Sequence, residues 1–329
     1  MITAPEPALY WTLAALFASL AIGSIARLTG LRNAEAELRS KRLASLRTWW
    51  ILATAVSVAL LAGRFGICLL LSVASCLGWR EIVRLYGARV EDSAAVRAGY
   101  ALIVINYLLI FFGAVSVFVM FLPVIAPVLI AFLLLLRDEP KGYIRSAGGL
   151  LWSIMFLGYG VSHAAYLLIL PGTASGPLGP AGWFLFLLIL TETDDISQAI
   201  VGRLFGAHNR HRIAPVISPN KTWEGFFGGM TVIVILAPLI APWLTTLGRQ
   251  PGPLSIPETL QPVVAPILAA LLISIAGYFG DINMSAIKRD VGVKDGSKLL
   301  PGMGGMIDRI DSLTITAPVF VYFVIWWTG

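Results

Sequence analysis

Between Ser285 and Ser312 the sequence reads SAIKRDVGVKDGSKLLPGMGGMIDRIDS. Five cations (Lys288, Arg289, Lys294, Lys298, Arg309) alternate there with four acids (Asp290, Asp295, Asp308, Asp311), and Gly302, Gly304 and Gly305 follow Pro301. Such glycines interrupt helix and let backbone approach a ligand. Clustered Lys and Arg suit phosphate oxygens, and the acids can orient those cations. Asp308 and Asp311 share a helix face through their three-residue spacing, while Lys288 and Arg289 fall one to two turns beyond Asp281, where cations complement a helix C-terminus. Ordinary loop charge plus capping acids explains two or three of these residues, not the whole set.

A second concentration begins inside an apolar run, GWFLFLLILTETDDISQAIVGRLFG. Each acid at the centre of a membrane helix costs about 2.5–3.5 kcal/mol, so Glu192, Asp194 and Asp195 need partners: Arg203, loop lysines or a metal ion. Asp281 closes a later apolar run at the same expected depth. Two carboxylates from different helices beside cations suit Mg²⁺, which takes one or two protein carboxylates and completes its shell with water and phosphate oxygens. The following loop adds Arg203, Arg210, Arg212 and Lys221 as phosphate contacts, with Ser218 and Thr222 as hydroxyl donors. Glu224 can orient a lysine or reach a metal through water, and Thr222 has the position of a helix N-cap. His163, His208 and His211 are isolated by spacing and read as structural. Cys68 and Cys76, about 12 Å apart along one helix, are too distant to bridge.

The elements that must position these groups are hydrophobic helices. The 329 residues are 57% hydrophobic and 13% charged, with a mean hydropathy of +0.83, against an apolar share of about 45–50% in soluble domains. The expected fold is all-α and polytopic, with about ten transmembrane helices at 8–28, 48–63, 65–79, 99–114, 116–136, 149–170, 181–203, 226–244, 262–287 and 307–328. The first run follows MITAPEPA, which has no positive charge, and precedes Arg27, Arg32, Arg39, Lys41 and Arg42, as expected of a retained helix with its N-terminus outside. On that topology both termini are outside, and of the 24 Lys and Arg only Arg64 and Arg249 face away from the cytoplasm. The net charge of +6 then follows from membrane orientation and calls for no nucleic acid. Residues 31–47 read as a basic interfacial helix. The chain divides into 1–46, an added N-terminal helix and basic segment; 47–170, N-terminal and middle helices; and 171–329, a catalytic region with cytoplasmic loops.

At these residues the sequence resembles the phosphatidate cytidylyltransferase (CDP-diacylglycerol synthase) family. Ser285, Lys288, Arg289, Lys294, Asp295, Pro301, Gly304, Gly305, Asp308, Arg309 and Asp311 match its signature in register, and Asp195 with VGRLFG and ISPNKTWEG match a second block. The resemblance covers about residues 47 to 329. It implies Mg²⁺-dependent in-line reaction of CTP with phosphatidic acid, giving CDP-diacylglycerol and pyrophosphate, in the inner membrane with the site facing the cytoplasm. Asp195 and Asp281 would hold Mg²⁺ with Asp194 as helper. Lys221, Lys288, Arg289, Lys294 and Arg309 would bind triphosphate or lipid phosphate, and Asp295, Asp308 and Asp311 would orient those cations or a second cation. Arg203, Ser218, Thr222, Glu224, Ser285, Gly304 and Gly305 would complete the substrate site. Membrane lipids are the expected surroundings, and a homodimer is compatible. The chain departs from the family pattern at Met303, where the family has His, at Met284, where it has Glu, and in DDISQA. These departures keep open a catalytically altered paralogue, alongside a CTP-dependent polyprenol or phytol kinase. A transporter is disfavoured because the acids lie at one end of their helices rather than at the midplane.

Overall fold

The computed structural model describes residues 7–31, 35–86, 94–173, 176–206, 211–293, 296–297 and 299–329. Among the described residues, eight helices are long and apolar enough to cross a membrane, and the chain is a polytopic membrane protein. Five come first: α1 (Pro7–Gly30), α2 (Ala36–Leu61), α3 (Gly63–Tyr86), α4 (Ala94–Phe111) and α5 (Val115–Leu135). A rod then runs from α6 (Tyr143–Ser153) through a π-helical stretch (Ile154–Gly160) into α7 (Val161–Tyr166). After it stand α8 (Gly179–Phe205), a hairpin of β1 (Arg212–Ala214) and β2 (Ser218–Thr222), α9 (Trp223–Leu244), α10 (Gln261–Asp290), the short α11 (Ile307–Ile310) and α12 (Leu313–Thr328).

All ten expected spans are therefore helical. The two outside the group of eight are the π-interrupted rod and α8, whose acids dilute its hydropathy. Two features differ from expectation. Residues 36–47 are not a separate interfacial helix but the first three turns of α2, which continues unbroken through the apolar run. The hairpin, antiparallel with Arg212 opposite Thr222 and Ala214 opposite Ser218, adds a small β element that no alternating apolar pattern announces.

Helix length sets the depth of the key acids. At 1.5 Å per residue, Asp281 lies about 30 Å from the start of α10, the thickness of a hydrocarbon core. Asp195 lies about 24 Å from the start of α8 by the same rise. Both stand near one end of the bundle. α8 packs most extensively on α9, and Gly229 permits the contact: a Cβ there would sit 2.7 Å from Asp194 Oδ1. Deeper in the bundle, polar groups are satisfied between helices, as when Asn106 Nδ2 donates to Ser162 Oγ at 2.9 Å and Ser75 pairs with Tyr107 at the same distance.

Candidate active site

At that end of the bundle a cavity of ≈ 540 Å³ opens between α8, the hairpin, α9 and α10. Asp195 and Asp281 supply its negative charge, and Arg203, Arg212 and Lys221 its positive charge. Ser218, Asn220 and Thr222 also line it. The hairpin is held over the helices at both ends. Trp223 N donates to His211 O at 3.1 Å, and Arg289 Nε, at the end of α10, donates to Ile217 O at 3.3 Å. Thr222 caps α9 as its position predicts, its Oγ1 accepting from Gly225 N at 3.1 Å. Glu224 pairs with His211 at 3.0 Å.

Lys221 is the hub. Its Nζ lies 2.6 Å from Asp281 Oδ2 and 3.2 Å from Gln198 Oε1, and 5.3 Å from the centre of the Tyr278 ring. Burial alone would depress the lysine pKa, but the carboxylates of Asp281, Asp195 and Asp311 outweigh it and hold the pKa above the usual lysine value. Gln198 passes the order on: its Nε2 donates to Asp194 Oδ2 at 2.8 Å, while Ser274 Oγ donates to Asp194 Oδ1 at 3.2 Å. Asp194 is thus buried, with both oxygens engaged, behind the cavity wall rather than in it. Asp195 Oδ2 accepts from Ser312 Oγ at 2.7 Å, and Asp281 Oδ1 from Ser285 Oγ at 3.3 Å. Asp311, which accepts from Ser312 N at 3.0 Å, is within electrostatic reach of both Asp195 and Asp281.

The loop that reverses into α11 forms a second assembly beside the cavity. Asp281, Ser285 and Lys288 follow one another along a face of α10 at four- and three-residue steps, and Lys288 Nζ meets Asp308 Oδ1 at 2.6 Å, both side chains nearly buried. Asp308 Oδ2 accepts from Gly305 N at 2.8 Å. Gly304 has φ +88°, and a Cβ there would lie 2.6 Å from Asp308 Oδ2, so the reversal needs glycine both for its backbone angle and for space. Met303 N donates to Leu300 O at 3.0 Å within the same turn. Met284 is buried, 1% exposed, in the hydrophobic core. Arg309 points elsewhere, into an apolar cavity shared with Glu192. Lys294 and Asp295, with His208 and Arg210, lie outside the described residues.

Several important residues escape sequence reasoning. Gln198, Tyr278 and Ser312 sit one helical turn or one residue from an acid already singled out, and Ser274 sits two turns before Asp281. Glu81 gives no such signal: it stands alone on α3, more than two hundred residues from its partners. It is 4% exposed and accepts from Ser297 Oγ at 2.5 Å and from Met306 N and Ile307 N, each at 2.9 Å. This one carboxylate fixes the path of the loop into α11.

Taken together, these features define a helical membrane protein with a polar cavity at one end of its bundle, lined by two carboxylates and three cationic side chains. The chain belongs to the cytidylyltransferase family, whose sequence model matches residues 43–327. Over nearly its whole length it is similar to the uncharacterized protein YnbB of Escherichia coli strain K12, at 38% identity across 95% of this chain and 97% of that protein. Phosphatidate cytidylyltransferases of Staphylococcus epidermidis and Haemophilus influenzae are each 36% identical over 42% of this chain, covering 46% and 44% of their own lengths. The chain thus spans less than half the length of these cytidylyltransferases.

Proposed function

We propose that this chain transfers the cytidylyl group of CTP to phosphatidic acid, forming CDP-diacylglycerol and releasing pyrophosphate. The observation that carries the reading is the gathering of Asp195 and Asp281 with Arg203, Arg212 and Lys221 around one cavity. A lipid phosphomonoester is already an anionic nucleophile near neutral pH, so the protein chiefly has to bring two polyanions together in line and neutralise the charge that builds on the transferred phosphorus and the departing pyrophosphate. Arg203 and Arg212 hold the triphosphate from the hairpin side. Lys221 turns from Asp281 to the phosphates as they arrive, with Tyr278 and Gln198 limiting its path. Asp194 positions Gln198, and Asp308 positions Lys288 at the rim.

Asp195 and Asp281 would hold Mg²⁺. Among the described residues no cluster of three acidic, His or Cys side chains gathers as a closed metal cage, and an ion that takes one or two protein carboxylates beside phosphate fits such a pair. When bound, Mg²⁺ would withdraw charge from the phosphate oxygens. The excess of cations at the same end supports a cytoplasmic orientation, and the family supports CTP as the nucleotide. Because no proton has to leave the nucleophile, Met303 in the place of a histidine is tolerable. The same substitution motivates a second reading, an altered paralogue, which predicts activity only after Met303→His. Asp281→Asn tests the main reading: turnover should be lost while membrane insertion and folding persist, and near-normal turnover would refute it.

A further inference from the structure

A second cavity, ≈ 310 Å³, lies between α1, α2, α3, α8 and the C-terminal helices. Its walls are almost wholly apolar, with Leu16 and Phe17 from α1, Ala53 from α2 and Leu188 from α8 among them. Charge enters only through Glu192 and Arg309. The lining runs from Phe184 to Glu192 along α8 and from Leu313 back to Met306 on the C-terminal segment, so Glu192 and Arg309 meet at the end where Asp195 and Asp311 also lie. Arg309 Nε is buried there with no hydrogen-bond partner among the described residues, and Glu192 is within its electrostatic reach. A buried donor without a partner costs about 1–3 kcal/mol, which a bound acceptor would recover. α1 precedes the family match, which begins at residue 43, and packs loosely, with only 11% of its apolar window buried.

We infer that this cavity holds one acyl chain of the lipid substrate, with α1 as its outer wall and Arg309 reaching the headgroup end. The inference rests on the proposed lipid phosphate acceptor and adds where its tail goes. An acyl chain is the occupant that matches both an apolar lining drawn largely from membrane-spanning helices and, at the end beside the phosphate-transfer cavity, a buried Arg309 Nε with no hydrogen-bond partner among the described residues. α1 thereby becomes a specificity element: residues on its inner face decide how far a tail can extend.

Two measurements on the full chain test this. Ala53→Trp narrows the cavity without touching the phosphate-transfer residues; KM for long-chain phosphatidic acid should rise at least about tenfold, the equivalent of losing about two buried methylenes, while a short-chain, water-dispersed analogue reacts at the unaltered rate. On the unmodified protein, a phosphatidic acid with a photoreactive group in its tail should label α1 and the facing turns of α2 within residues 13–20 and 49–57. Labelling confined to other helices, or an Ala53→Trp protein that treats both lipids as the unmodified protein does, overturns the inference. If tail labelling appears on α1 but no nucleotidyl transfer occurs, the acyl cavity stands and the proposed reaction falls; if transfer occurs without labelling there, the reaction stands and the acyl cavity falls.

Discussion

Lys221→Met separates two roles that the geometry gives one side chain. Its ammonium is 2.6 Å from Asp281 Oδ2 and also sees Asp195 and Asp311, so a divalent ion entering between these carboxylates must first displace it. A hydrogen bond between charged groups contributes about 1.5–3 kcal/mol. At about 1.4 kcal/mol per factor of ten, removing the competing ammonium should tighten Mg²⁺ binding by roughly 10- to 150-fold. The side chains of Lys221 and Asp281 are 17% and 25% exposed, so solvent screening moves the result toward the lower end. Turnover should move the opposite way, falling at least about 100-fold, because the cation that meets the phosphates is gone. The assay is Mg²⁺ titration of the purified protein by calorimetry, with unfolding temperature against Mg²⁺ concentration as a second readout, followed by initial rates at saturating metal. Unchanged or weaker Mg²⁺ binding would refute the idea that lysine and metal contend for the same carboxylates.

Asp308→Asn leaves Lys288 nearly buried without its counter-charge, which should cost about 3–5 kcal/mol of stability and show as a lower unfolding temperature. Glu81→Ala strands Met306 N and Ile307 N, each worth about 1–3 kcal/mol when unsatisfied; the loop into α11 should loosen, and hydrogen exchange at residues 296–307 should rise while α4 and α5 stay protected. The pH dependence of Lys221 follows from its raised pKa: its charge contributes fully below the unfolded value of about 10.4 and is lost only as pH climbs through the still higher folded value. The unfolding-temperature gap between the unmodified protein and Lys221→Met should therefore not narrow as pH rises from about 6 to 9, and a gap that closes within that range would mean the lysine is not held by the carboxylates.

Much of this architecture is legible in the sequence because a membrane imposes strong rules. Apolar run length marks every long helix, and the acids of α8 and α10 stand out because hydrocarbon makes them costly. The spacing of Asp281, Ser285 and Lys288 carries through because α10 runs without a break to Asp290. What sequence periodicity misses depends on contacts distant in the chain. Nothing local distinguishes Glu81 from an ordinary helix-end acid, and no pattern reveals that Arg309 turns to an apolar cavity while its neighbours Asp308 and Asp311 turn to polar partners. Asp194 and Asp195 are adjacent in sequence, yet helical rotation sends one behind the wall and the other into the cavity. The basic turns of α2 illustrate the same limit: their composition suggests a surface helix, but Thr48 Oγ1 donates to Pro301 O at 2.8 Å, binding α2 to the loop that precedes α11.

The most direct measurement incubates the purified protein with Mg²⁺, phosphatidic acid and CTP labelled separately on its α- and γ-phosphates, and identifies both products. Cytidylyl transfer predicts the α-label in lipid and the γ-label in pyrophosphate, with both lost in Asp281→Asn. Release of CDP with the γ-label on lipid would identify a kinase instead, and no transfer of either label would contradict the assignment of the cavity to nucleotide chemistry.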